Sequence, residues 1–199
     1  MKFIISFFII ILFIKPLYAD DASIWLKTEI DTILGAYKNT SIQKSEKFEI
    51  IENTINNNFA GAGIAKFVAG KSWGSANKDT KKEFIKLFKR HLALNIASMM
   101  QGYSNQTYKL IDSKYDKQNK VSLIDMEIYF ETNKLLITWR IKKSKDRFFV
   151  IDLIVADISL VITKRSEFNS MLKKVNNNLK DFNILLERQN KASYNRLMG

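Results

Sequence analysis

The sequence predicts an α+β protein: a four-stranded antiparallel meander sheet covered by several helices. Three observations carry that class. Helical periodicity fills the first half of the chain, two-residue alternation fills Thr107 to Val155, and helical periodicity returns afterwards. The clearest stretch is Lys134–Phe168, two patterned strands around a charged turn and then the start of a helix. On Lys134–Lys142 alternation puts Leu135, Ile137, Trp139 and Ile141 on one face and Leu136, Thr138, Arg140 and Lys142 on the other. The polar turn Lys143–Asp146 has hairpin length. On the return strand Phe148, Val150, Asp152 and Ile154 are expected on one face, with Phe149, Ile151, Leu153 and Val155 opposite. A strand apolar on both sides must be covered on both, or hold something apolar on one.

Taken in order, the chain opens with Lys2, an apolar run Phe3–Ile14 broken only by Ser6, and a small residue at Ala19. That pattern predicts an export signal over Met1–Ala19, cleaved before Asp20, and the run is too short to span a bilayer. Asp20–Asn39 reads as a helix with a Leu26, Ile30, Ile33, Leu34 and Tyr37 stripe. Lys44–Asn58 is a second helix, with Phe48, Ile51 and Ile55 inward. A short helical piece, Ile64–Ala69, ends at Gly70, a capping position. Thr80–Glu83 has the pattern of a capping box and opens the longest helix, which runs to about Gln101. Its apolar arc, from Phe84 to Met100, is wide enough to meet more than one neighbour. Thr107–Asp112 and Val121–Phe130 complete the sheet, and Ser166–Val175 and Leu179–Arg188 close the fold as helices. One domain therefore spans 20–188, and Gln189–Gly199 is expected to be a loose polar tail.

Composition narrows the function. Without the leader the chain has 199 less 19, or 180, residues, enough to bury a real core. There is no cysteine, which excludes disulfides, thiolate chemistry and a lipidated N-terminal cysteine. The formal charge is +12, or +10 once Lys2 and Lys15 leave with the leader. Such a surplus favours anionic partners; export and the lack of any nucleic-acid-binding signature argue against nucleic acid. The single histidine, His91, lies mid-helix and makes poor material for a triad, and no zinc, two-metal, P-loop or GxSxG pattern is present. No catalytic residue, cofactor or metal is expected.

Asp152 is the one residue that invites a catalytic reading. It lies among Phe148, Val150 and Ile154, where a carboxylate left unpaired would have a raised pKa. It is expected to have a structural role, accepting backbone N–H groups or pairing with Arg165 or Arg140 and so pinning the last strand to the next helix. The alternative is an acid–base group facing a cavity. Apolar side chains, by contrast, are abundant. From the helices, Phe59, Ile64, Phe67, Val68, Trp73, Phe84, Phe88, Met99 and Val161 are candidates for one continuous lining, which Trp139, Phe148 and Val150 would continue on the sheet. The same residues would serve as an ordinary core.

At these residues the chain resembles the MlaC (toluene-tolerance auxiliary) family of periplasmic phospholipid-binding proteins. The resemblance is carried by VAGKSW at Val68–Trp73, ANKDTKKEFIKLFKRHL at Ala76–Leu92 and MMQGYSNQTYKL at Met99–Leu110. Its most specific part is TWRIKKSKDRFFVIDLIVADISLVITKRSEF, Thr138–Phe168. The chain departs from the family at Ala156–Asp157, at Asp146–Arg147 where a hairpin glycine is usual, and within Val175–Asn178, all at turns. The resemblance covers roughly Lys27 to Leu186 and implies an NTF2-like cone with a helical lobe. It also implies a monomeric periplasmic shuttle that carries phospholipid, with no other cofactor. Its implied partners are an inner-membrane ABC lipid transporter with its substrate-receiving component and an outer-membrane lipoprotein–porin complex. The residues alone leave two other readings: an NTF2-like isomerase or dehydratase using Asp152, and a basic interaction module with a filled core.

Overall fold

Five helices precede the sheet and two follow it among the described residues, 21–103 and 106–199 of this computed structural model. The leader expected over Met1–Ala19 lies outside them. The helices before the sheet are α1 (Asp21–Lys38), α2 (Lys44–Asn58), α3 (Gly61–Ala69), α4 (Lys71–Ser75) and α5 (Lys78–Met100). The sheet follows as β1 (Thr107–Asp116), β2 (Val121–Tyr129), β3 (Lys134–Ser144), β4 (Arg147–Val155) and a two-residue β5 (Ile158–Ser159). Its strands lie in chain order and every pair is antiparallel, so the expected four-stranded meander gains a short fifth member. The chain closes with α6 (Leu160–Lys173) and α7 (Leu179–Met198).

Three departures among the helix ends are informative. The cap of α5 is Asn77, whose side chain accepts from the Thr80 amide at 2.8 Å, so the helix starts earlier than a box built on Thr80 would have it. Helix α6 starts at Leu160 and not at Ser166. The β-branched run Val161–Thr163 has strand propensity, but the Ser159 hydroxyl caps the Ile162 amide at 3.1 Å and the helix packs on α3 and β4. The third departure corrects the loose tail expected over Gln189–Gly199, which is helical to Met198. Its polar residues are fasteners: buried Asn190 donates to the Leu87 carbonyl at 2.9 Å, Gln101 donates to the Leu197 carbonyl at 3.4 Å, and Tyr194 meets Phe48 edge-on at 5.3 Å. Leu197 is buried beside them.

The helices build a lobe of their own. Phe84, Phe88, Phe168 and Phe182 are buried in one aromatic cluster, with ring centroids 5.3 to 6.3 Å apart. A second cluster joins Phe48, Ile51 and Ile55 of α2 to Ala93, Leu94 and Ala97 of α5. The sheet is covered differently: Ala22 and Leu26 of α1 lie on Ile124 and Ile141, with Trp25, Ile30, Leu110, Trp139 and Phe148 around them.

Two β-bulges reset the faces of the sheet. Between β3 and β4 the register runs Arg140↔Asp152 and then Ile141↔Val150, leaving Ile151 as the extra residue. Paired residues share a face, so Phe148 and Val150 join Trp139 and Ile141 toward α1, while Asp152 and Ile154 turn to the opposite face. Uninterrupted alternation had put all four together. The other bulge makes Ile111 the extra residue of β1. On the far side β4 is closed by β5 and by the α2–α3 connection: Phe59 bridges Val150, the Ala60 amide donates to the Val150 carbonyl at 2.9 Å, and Arg147 donates to the Asn57 carbonyl at 2.9 Å.

Candidate functional site

The face of the sheet that meets α1 is mostly apolar, with Ser113, Ser122 and Lys143 toward the hairpin end, yet α1 covers only part of it. Beyond the Ile124–Ile141 cluster the register continues it as a row, Leu110, Met126, Ile137 and Val155, ending at Ile158. Met126 is buried; Ile128, Leu135, Ile137, Leu153 and Val155 are only half-buried. At the end of the row Ile158 is 61% exposed, and Ile162 in the first turn of α6 is 59% exposed. Half-covered aliphatic side chains that end at an open lip are what hydrocarbon would complete. Within the covered part, Trp139 Nε1 is buried with no hydrogen-bond partner among the described residues.

A second apolar recess lies on the helical lobe. Gly63, Lys66, Phe67, Gly70, Trp73 and Arg165 line an open cleft of about 380 Å³. Gly70 joins α3 to α4 at φ +55, a conformation that suits glycine. Arg165 stacks on the Phe67 ring at 4.4 Å and donates to the Phe67 carbonyl at 3.0 Å, holding one wall.

The residues expected to form one lining are thus distributed over several places. Ile64, Val68, Phe84 and Phe88 are closed inside the helical core, with Phe59, Trp73 and Val161 packed against it. Trp139 and Phe148 belong to the α1–sheet cluster. Val150 is buried and tied to Phe59, which also touches the α2–α5 cluster, so these two stand where sheet and lobe meet. Phe67 is 43% exposed in the open cleft, and Met99 is 67% exposed near the end of α5. Helix α5 packs on α2, α3 and α7, so the lining expected to run from Phe84 and Phe88 onto the sheet is not continuous. Met126, Ile128, Val155, Ile158 and Ile162 were absent from the expected lining. The alternation of β2 could have supplied the first two, whereas Val155 needed the bulge.

Asp152 is buried although it faces away from α1, because the start of α6 folds over it. The Ser159 hydroxyl donates to its carboxylate at 2.7 Å, the Val161 amide at 3.1 Å and Arg140 at 3.4 Å. Arg140 is the arginine beside it; Arg165 is engaged at Phe67. The carboxylate ties β4 to α6 and lines neither cleft. His91 faces Phe168 edge-on at 5.4 Å, and burial pushes its pKa down to about 4, with Lys164 adding to the effect and Asn190 and Glu167 opposing it. It lines a small recess of about 160 Å³ between α5 and α7, beside Asn95, Ser98 and Arg196. No group of three or more His, Asp or Glu side chains among the described residues is arranged to hold a metal ion.

The open antiparallel sheet flanked by helices, with one face part-covered, defines an NTF2-like α+β protein carrying a helical lobe. The family model described as MlaC protein matches residues 27–186, and the chain belongs to that family. Among solved structures, it is similar to the phospholipid-binding protein from Ralstonia solanacearum, determined in complex with a phospholipid. The TM-score is 0.74 at 16% identity, over 87% of this chain and 99% of that one, a likeness of fold. No curated protein matches the sequence.

Proposed function

We propose that this protein is a periplasmic phospholipid carrier, holding acyl chains on the half-covered inner face of its sheet and passing them between membranes. The observation that carries the reading is that face, apolar from Leu110 to Val155 and open at Ile158, in a member of the MlaC family. Ile128, Leu135, Ile137, Leu153 and Val155 would contact the tails first. Phe59 and Val150 would line the deeper seam between sheet and lobe, while Trp139 and Phe148 stay under α1. The side chains closed in the helical core are left to hold the lobe together.

The energetics suit a shuttle. Burying a methylene is worth roughly 0.8 kcal/mol, so two tails of about fifteen methylenes gain roughly 24 kcal/mol relative to water. Relative to a bilayer, which is equally apolar, nearly all of that cancels. Loss into water is therefore slow, while transfer needs only a partner that offers a continuous apolar path. We assign that role to an inner-membrane ABC lipid transporter with its substrate-receiving component, and to an outer-membrane lipoprotein–porin complex. The carrier works as a monomer, with phospholipid as cargo and no other cofactor.

Mass spectrometry of an organic extract of the purified protein tests the reading. Wild type should yield phospholipid, and Ile137→Glu should yield almost none while keeping its circular dichroism. A clean extract from wild type, or full phospholipid in Ile137→Glu, overturns it.

A further inference from the structure

The meander brings the β1–β2 and β3–β4 turns to one end of the sheet, next to each other, because Ser122 of β2 pairs with Ile141 of β3. That end is strongly basic, its two hairpins carrying six cations against Asp116 and the exposed Asp146. Lys117, Lys120, Lys142, Lys143, Lys145 and Arg147 are all exposed there. Among the described residues no carboxylate forms an ion pair with any of them. Asp116, the nearest acid in the first turn, is occupied in holding that turn, accepting from the Asn119 amide at 3.1 Å and its side chain at 2.7 Å.

Both turns are built against backbone preference. Lys120 ends the first at φ 54, and Lys145 is the positive-φ residue of the second, also at φ 54. Turns of this kind ordinarily place glycine or asparagine at such positions, since a Cβ is disfavoured there. Two separate hairpins thus hold a lysine where folding favours glycine, and both lysines point the same end of the molecule toward anions.

Apolar groups accompany the cations. Tyr115 is 57% exposed near the end of β1, and Lys143 and Arg147 lie over the Phe148 and Phe149 rings, each at 5.2 Å. Trp25 meets Phe148 at 5.7 Å, which brings the start of α1, with Ile24 58% exposed, to the same end. Protruding tips that mix lysine with exposed aromatic and aliphatic side chains fit a flat interface of anionic headgroups. We infer that this hairpin end docks the protein reversibly on anionic phospholipid bilayers. The lip at Ile158 lies at the other end of β4, so a docked molecule keeps its proposed cargo face free. The inference is independent of that cargo.

The test is co-sedimentation of the purified protein with vesicles of phosphatidylcholine plus phosphatidylglycerol, against phosphatidylcholine alone. Binding is expected to the anionic vesicles only, and to fall with added salt. Each cation lost should weaken it about fivefold, so Lys120→Gly with Lys145→Gly should cost roughly 25-fold. Glycine suits both backbones, so the melting temperature of this variant should hold or rise, and its phospholipid content should be unchanged. The same loss of charge on α6 and just beyond it, Lys173→Gln with Lys174→Gln, should leave vesicle binding intact. Absence of wild-type binding at low salt would overturn the inference and turn these tips toward an acidic protein. Equal losses in the two double variants would overturn it in favour of net charge alone.

Discussion

Phe88→Ala separates a closed helical core from a cargo lining. The Phe88 side chain is fully buried, 6.0 Å from the Phe84 ring and 5.7 Å from the Phe168 ring, which it meets at 88°. Truncating a phenylalanine in such a place costs about 3–5 kcal/mol, the lost ring contacts included. Against a domain stability of about 5–15 kcal/mol the variant still folds. At this chain length each kcal/mol shifts the midpoint by about 2–4 °C, so melting should fall by roughly 10 °C. The urea midpoint should drop with an unchanged m-value, because the same surface is exposed on unfolding. Phospholipid extracted from the cold-purified variant should match wild type. A melting shift under about 3 °C together with a lipid-free extract would refute this reasoning. It would mean that Phe88 touches cargo and that the lining runs along α5.

Ending the chain after Arg188 should also destabilise it, by about 2–4 kcal/mol, because the buried Asn190 hydrogen bond, Leu197 and the Tyr194–Phe48 contact go together; an unchanged melting curve would return that segment to a loose tail. Acid should weaken the protein through His91. Its folded pKa, about 4, lies below the ordinary 6.5, so as pH falls the unfolded chain takes the proton first. Stability is complete above about 6.5 and declines toward 4, by about 3 kcal/mol from this group. Denaturation midpoints measured across that range should flatten in His91→Gln, and an unaltered slope would assign the effect to other groups.

Much of this architecture could be read from the residues. Helix α2 and the strands follow their periodicity closely, since a stripe such as Phe48, Ile51 and Ile55 has one way to be buried. What escaped was decided by contacts distant in the chain. Leu160–Thr163 is helical because Ser159 caps it and α3 receives it. Gln189–Met198 is helical because its asparagine and tyrosine find Leu87 and Phe48, and polar composition alone looks the same in a tail. The extra residue at Ile151 is invisible to alternation, yet it decides that Val150 and Val155 share a face while Asp152 leaves it. Nor does a buried phenylalanine announce whether its neighbours are side chains or hydrocarbon. The expected lining therefore mixed true core, such as Phe84, with residues at the seam, such as Phe59.

The interruption at Ile111 has a consequence for how the molecule behaves in company. With β4 sealed, β1 is the border at which another copy could add a strand. The extra residue breaks the regular spacing of its outward amides and carbonyls, and exposed Lys109 and Lys114 place charge along that border. Concentrated solutions should accordingly stay clear of fibres, and the protein can crowd without polymerising side by side.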